Sequence, residues 1–274
     1  MRSMWVVGIL AILLVLAILP AVAQVTSKPE VQGTDVIAPH QIRPMKFHKV
    51  RADGTVESEN WSGYAVTGSS FTVAKGSWTV PAVNCSKTPN TYAAFWVGID
   101  GYSSDSVEQT GTLAECVGSS ATYYAWYEFY PNPSYEITSV PVSPGNQISA
   151  SVTYNGSEFT TTITNETTGK SYSKSAKVRG AARSSAEWIA EAPCCTGSGG
   201  ILPLADFGTA DFGQDYTDVS GTNDATDSST SGAISAFGSD VQEIIMVSSS
   251  GAEEALPSGV SADGTSFTVT WESE

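Results

Sequence analysis

Past residue 55 the apolar positions fall in short runs with a period of two, the spacing of strands with one buried face. Ile148, Ala150, Val152 and Tyr154 alternate with Ser149, Ser151 and Thr153. Comparable runs rich in Val, Thr, Tyr and Trp occupy residues 71–73, 76–80, 92–99, 122–130, 158–164, 186–190, 241–247 and 266–271, separated by Gly, Asn, Asp and Pro. After the N-terminus no stretch keeps apolar residues at i, i+3, i+4 and i+7 for three turns. Short strands with frequent turn signals and no alternating helices predict an all-β fold, a sandwich of two antiparallel sheets. The Gly-, Ser-, Thr- and Asp-rich stretch 217–231 is expected to be a long exposed loop.

The N-terminus breaks this pattern. Arg2 precedes an almost unbroken apolar run over residues 4–19, and Pro20 and Ala21-Val22-Ala23 follow before Gln24. A positive start, an apolar core and an Ala-x-Ala-like site predict a secretory signal peptide over residues 1–23. The run falls short of the ~20 residues that span a bilayer. The expectation is a secreted, extracellular chain with no membrane attachment after cleavage. Residues 24–54 hold Pro29, Pro39 and Pro44 and both histidines, His40 and His48, and are taken as a pro-segment or linker. Residues 55–274 then form one body, expected to be monomeric.

Charge sharpens that division. Residues 24–54 carry five Lys/Arg against three acids, whereas from Thr55 onward seven basic residues face 25 acidic ones, a net of −18. So acidic a body repels phosphate backbones and argues against nucleic acid as a partner. It suits an acidic medium, where many carboxylates are protonated near their ordinary pKa of ~4. Four cysteines in a secreted chain point to disulfides; three connectivities are open, Cys85–Cys116 being preferred, with Cys194 and Cys195 either a vicinal bridge or thiols. Asn-x-Ser/Thr sequons begin at Asn60, Asn84, Asn155 and Asn165.

The body contains no histidine. Ser-His-Asp and Cys-His catalysis therefore lack a base, and His-based zinc hydrolase sites lack ligands. Neither Asp-Thr-Gly nor Asp-Ser-Gly occurs, which removes the aspartic-peptidase dyad, and no metal or cofactor is called for. Asp206-Phe207-Gly208 and Asp211-Phe212-Gly213 echo a kinase tripeptide without its companion motifs and are taken as strand and turn residues. Carboxylates and amides remain.

They concentrate in Phe95-Trp96-Val97-Gly98-Ile99-Asp100-Gly101, Glu108-Gln109-Thr110-Gly111, Ala125-Trp126-Tyr127-Glu128-Phe129-Tyr130 and Ala186-Glu187-Trp188-Ile189-Ala190-Glu191. In this order, with Asn60-Trp61-Ser62-Gly63-Tyr64 before them and Ser266-Phe267-Thr268-Val269-Thr270-Trp271 after, the segments resemble the glutamic peptidases, or eqolisins. The resemblance spans most of residues 59–271. It implies a concanavalin- or jelly-roll-like sandwich that cleaves polypeptides in acid, with Gln109 and Glu187 as the catalytic pair on a concave face. By the same matching Trp96, Asp100 and Glu128 line the cleft, and Glu191 lies beside them as a further substrate-binding residue. A glutamate can take a proton from the attacking water and return it to the leaving amine. A glutamine amide can donate to the developing oxyanion and keeps its charge state as pH falls. Two other functions fit acidic-aromatic clusters on a sandwich: a glycoside hydrolase using Glu128 and Glu187, and a carbohydrate-binding module. The hydrolase has no evident need for Gln109, and a binding module has no purpose for a pro-segment.

Overall fold

The structure is a computed structural model that describes Met1, residues 35–195 and residues 199–273. The expected signal peptide, the cleavage expected after Ala23 and residues 24–34 lie, Met1 apart, outside the described residues. The N-terminal part contributes short strands β1 (Asp35–Ile37), β2 (His40–Gln41), β3 (Phe47–Val50) and β4 (Val56–Ser58). Next come β5 (Trp61–Thr67), β6 (Val73–Thr79), β7 (Tyr92–Ile99), β8 (Val107–Val117), β9 (Ser120–Tyr130) and β10 (Tyr135–Ile137). β11 (Gln147–Tyr154), β12 (Phe159–Asn165), β13 (Lys170–Ala176) and β14 (Ser185–Glu191) follow. The chain finishes with β15 (Cys194–Cys195), β16 (Thr209–Phe212), the helical turn α1 (Gln214–Thr217), β17 (Asp224–Thr226), β18 (Ser231–Ala233), β19 (Val241–Val247), β20 (Glu253–Pro257) and β21 (Phe267–Trp271).

These strands form the expected sandwich. One layer runs β10-β9-β8-β7-β14-β5-β19, with β1 added at the β10 edge and β4 joining β19 in parallel with β3 outside it. The other runs β13-β12-β11-β6, continues through β16 to β21, and carries β17 on β6 as well. β20 pairs with both β19 and β21, so the layers are stitched along one side. Between them Trp78, Phe95, Phe212, Trp188 and Phe267 are buried. The two indoles between the layers keep partners: Trp78 Nε1 donates to Thr112 Oγ1 at 2.9 Å and Trp188 Nε1 to the Lys75 carbonyl at 2.7 Å. That satisfaction lets so large a side chain lie in the core.

A second apolar cluster lies on the outer, concave face of the first layer, where Trp61, Trp96, Trp126 and Ile189 are covered by Ile42 from the N-terminal segment. Both faces of β5, β7, β8 and β14 are therefore buried, and these strands show no alternation.

Several local expectations meet the structure directly. Cys85 and Cys116 are disulfide-bonded. The vicinal alternative for Cys194 and Cys195 involves the Cys195 side chain, which is outside the description. Residues 217–231 are not a free loop: β17 docks on β6, and Thr222, Asn223 and Ala225 are buried. Asn223 accepts from Ser77 N–H at 3.2 Å and donates to the Thr265 carbonyl, which gives the segment its hold. Asp206 and Asp211 are turn and strand residues, Asp206 Oδ1 accepting from Gly208 N–H. Of the four sequons, Asn60 and Asn165 are buried with their amides hydrogen-bonded internally, whereas Asn84 and Asn155 are exposed.

Candidate active site

Residues paired across neighbouring strands point to the same face of a sheet. The registers of β14, β7, β8 and β9 place Glu187, Gly98, Gln109 and Glu128 in one row on the concave face. Two and four residues along β14, Ile189 and Glu191 share that face, as do Trp96 on β7 and Trp126 on β9. Gly98 leaves a gap in the row, and the Trp96 ring fills it: a Cβ at position 98 would lie 2.8 Å from Trp96 Cζ3. Gly111 opposite makes the same accommodation, because a Cβ there would lie 2.6 Å from Trp96 Cβ and 2.3 Å from the Phe95 carbonyl oxygen. So held, Trp96 donates its indole N–H to Glu191 Oε2 at 3.0 Å. Asn60 Nδ2 reaches Glu191 Oε1 at 3.4 Å.

The N-terminal segment crosses this face in extended form, and its backbone is gripped by the residues just named. Ile42 N–H donates to Glu128 Oε2 at 3.0 Å, and the Ile42 carbonyl accepts from Gln109 Nε2 at 3.2 Å. Arg43 N–H donates to Glu191 Oε1 at 3.1 Å, and its carbonyl accepts from Trp61 Nε1 at 3.0 Å. Asn60 then holds both the Pro44 carbonyl and the Lys46 N–H. The Ile42–Arg43 peptide thus lies with its carbonyl on an amide donor and its N–H on a carboxylate, while the Ile42 side chain is fully buried. Glu128 also accepts from Gln109 Nε2 at 3.2 Å, so it orients the glutamine.

Gln109, Glu128, Glu191 and Trp96 are brought together. Glu187 and Asp100 stand apart from the segment. Glu187 is fully buried, with Asp100 and Glu108 as its charged neighbours. Asp100 is a brace: at φ 72° it accepts from Arg183 N–H at 2.7 Å and Ser184 N–H at 2.9 Å, tying the end of β7 to the approach to β14. Among the described residues Arg43 attracts the Glu128 carboxylate, and the other basic residues of the segment pair away from the cleft acids. Lys46 pairs with Glu59, Lys49 with Glu57 at 3.4 Å, and Arg51 with Glu57 at 2.7 Å and Glu253 at 2.8 Å. Asn60 and Trp61, whose side chains also hold the segment, were visible in sequence only as members of the Asn-Trp-Ser-Gly-Tyr motif.

Burial dominates the protonation of this face. It pushes Glu191, Glu128 and Glu187 well above the carboxylate range, more than the N–H groups they accept from pull them back. Asp100 and Glu108 push Glu187 further, and burial beside Asp100 takes Glu108 up to about 9.

Comparison with known proteins follows the same residues. The sequence profile of the Peptidase A4 family matches residues 59–270. Scytalidopepsin B of Scytalidium lignicola is 33% identical over 190 residues, 67% of this chain and 71% of that protein. Aspergillopepsin-2 of Aspergillus niger is 29% identical over 189 residues, 60% of this chain and 66% of that protein, just under two thirds of its length. A crystal structure of scytalido-glutamic peptidase with a transition state analog inhibitor superposes with a TM-score of 0.65 at 27% identity, over 78% of this chain and 98% of the other.

Proposed function

This chain belongs to the peptidase A4 family, the glutamic-type peptidases or eqolisins, and from that premise we propose that it is a secreted, acid-acting endopeptidase whose residues 24–54 serve as its pro-segment. The observation that carries this reading is the Ile42–Arg43 peptide between Gln109 and Glu191, which is bound as a substrate would be. In hydrolysis an ionised glutamate takes a proton from water as the water oxygen bonds to the carbonyl carbon. Gln109 Nε2 donates to the oxygen that becomes negative, and the glutamate returns the proton to the nitrogen as the C–N bond breaks.

Which glutamate does this is a choice between two residues of β14. Glu191 Oε1 lies 3.1 Å from Arg43 N, the atom that would leave as an amine, and Trp96 and Asn60 fix its orientation. Glu187 shares the cross-strand row of Gln109, which supports the assignment made from sequence, but the Trp96 ring occupies the gap at Gly98 between them. The proposal therefore gives the base to Glu191, and Glu187 is the second reading. In this reading the covered enzyme is latent because the segment occupies the cleft and burial raises the base; loss of the segment returns water to it. The test is digestion of an unfolded protein at pH ~3–5, the carboxyl range, with pepstatin present. Peptide release there supports the proposal, whereas no release at any acid pH sinks it.

A further inference from the structure

Far along the segment from Ile42, Asp35 fills a site built entirely by the sandwich. Tyr127 Oη donates to Asp35 Oδ2 at 2.9 Å, Tyr172 Oη donates to Oδ1, and Lys174 Nζ lies 2.6 Å from Oδ2. Tyr127 belongs to β9 in one layer, and Tyr172 and Lys174 belong to β13 in the other, so the three donors converge at the open edge between the layers. The donors are packed together: the Tyr127 ring stacks on Tyr135 at 5.3 Å and on Tyr172 at 5.8 Å, and Lys174 Nζ sits 5.7 Å from the Tyr127 ring centre. A cavity of about 270 Å³ opens beside them, bordered by Asn132 and Pro133. Two phenol O–H groups and an ammonium aimed at one point are a receptor for a carboxylate, and charge-assisted bonds of this kind are short and strong.

The strand that brings the carboxylate is itself an addition. β1 pairs antiparallel with the edge strand β10, Asp35 opposite Ile137 and Ile37 opposite Tyr135, and Ala38 N–H donates to the Ser134 carbonyl at 2.9 Å. The outward side chains Val36 and Ile37 are exposed. Main-chain pairing plus one side-chain pocket is the way a sheet edge recognises an extended peptide. Resting on the peptidase reading above, we propose that Tyr127, Tyr172 and Lys174 form a carboxylate-binding exosite, filled by Asp35 in the full chain. After the segment has gone, it takes an Asp or Glu seven residues before the substrate residue whose carbonyl is attacked, the spacing of Asp35 from Ile42.

Two measurements test this. In the full chain at neutral pH, Asp35→Asn speeds amide exchange at Ala38 on the order of tenfold, the scale of one lost charge-assisted bond, and Asp35→Glu recovers part of the protection. Unchanged protection in Asp35→Asn overturns the receptor. On the acid-activated enzyme, a peptide with Asp seven residues before the Ile of an Ile-Arg bond shows a KM about tenfold below that of its Asn twin, consistent with the same bond, and Lys174→Met shrinks that ratio toward one. Equal KM values for the twins overturn the exosite. If neither peptide is cut, the peptidase reading falls instead, and the exchange result alone decides the receptor.

Discussion

At the scale of single residues the site is an arrangement of side chains around one peptide bond. Gln109 keeps a neutral donor on the carbonyl at every pH, and Glu128 keeps that donor aimed. Gln109→Ala should lower kcat on the order of a hundredfold or more, as removal of an oxyanion donor does, with the fold intact by circular dichroism. A purified, folded variant of near-normal rate would take Gln109 out of the chemistry. Gln109, Trp96 and Glu128 were legible in sequence because they stand in motifs of fixed order. The two glutamates of Ala186-Glu187-Trp188-Ile189-Ala190-Glu191 were not separable there: a period of two places both on one face, and only the seat of Trp96 over Gly98 and the path of residues 42–43 distinguish them. Ile42 was invisible as a cleft residue, since nothing in a proline-interrupted segment marks where it will lie.

Strands were readable where water touches one face. β11 and β12 alternate buried and half-buried positions, and the sequence runs 147–154 and 158–164 match them closely. β5 and β8, buried on both faces, give no such alternation and escaped notice, whereas β7 and β14, buried likewise, were found from their apolar and aromatic content instead. β13 escaped for the opposite reason, since only Tyr172 of its seven residues is buried. The crowding of β7 against β8 carries its own prediction. A methyl group at Gly111 would meet the Phe95 carbonyl at 2.3 Å and Trp96 Cβ at 2.6 Å, both parts of a buried strand. Gly111→Ala should cost about 1–3 kcal/mol, the usual penalty of overpacking, seen as a lower denaturant midpoint. An unchanged midpoint would mean that β7 shifts freely and that the seat of Trp96 is not fixed by the glycines.

Over the whole molecule, two sets of carboxyls answer pH with opposite sign. Hydrogen bonding to Arg51 holds Glu57 below its ordinary range, and to Lys46 holds Glu59 below. Asp35 is raised by burial but held below its usual value on balance by Lys174, Tyr172 and Tyr127. These groups stabilise the covered state above their ordinary values of 4.5 and 3.8, and that contribution is lost as pH falls through the lowered ones. Glu128 and Glu191 are raised by burial, an effect that the N–H groups of Ile42 and Arg43 in the cover partly offset, so their burial is favoured in acid and opposed as pH rises. Acid uncovering therefore requires the first set, whose contribution is lost as pH falls through the lowered values, to outweigh the second. Asp35→Asn, lacking one member of the first set, should begin to shorten at a higher pH than the parent when followed by mass spectrometry; an onset unmoved by that change would count against the clamp. The charge contrast along the sequence did not single out Glu57, Glu59 and Glu253 as partners of Lys46, Lys49 and Arg51, because those pairings depend on β3 folding back along β4. The central claim is that Glu191 and Gln109 act on a peptide lying where Ile42–Arg43 lies. Its most direct test compares acid digestion of an unfolded protein by Glu191→Gln and Glu187→Gln, each verified as folded. The account predicts no turnover for the first and measurable turnover for the second, and an active Glu191→Gln enzyme would contradict it.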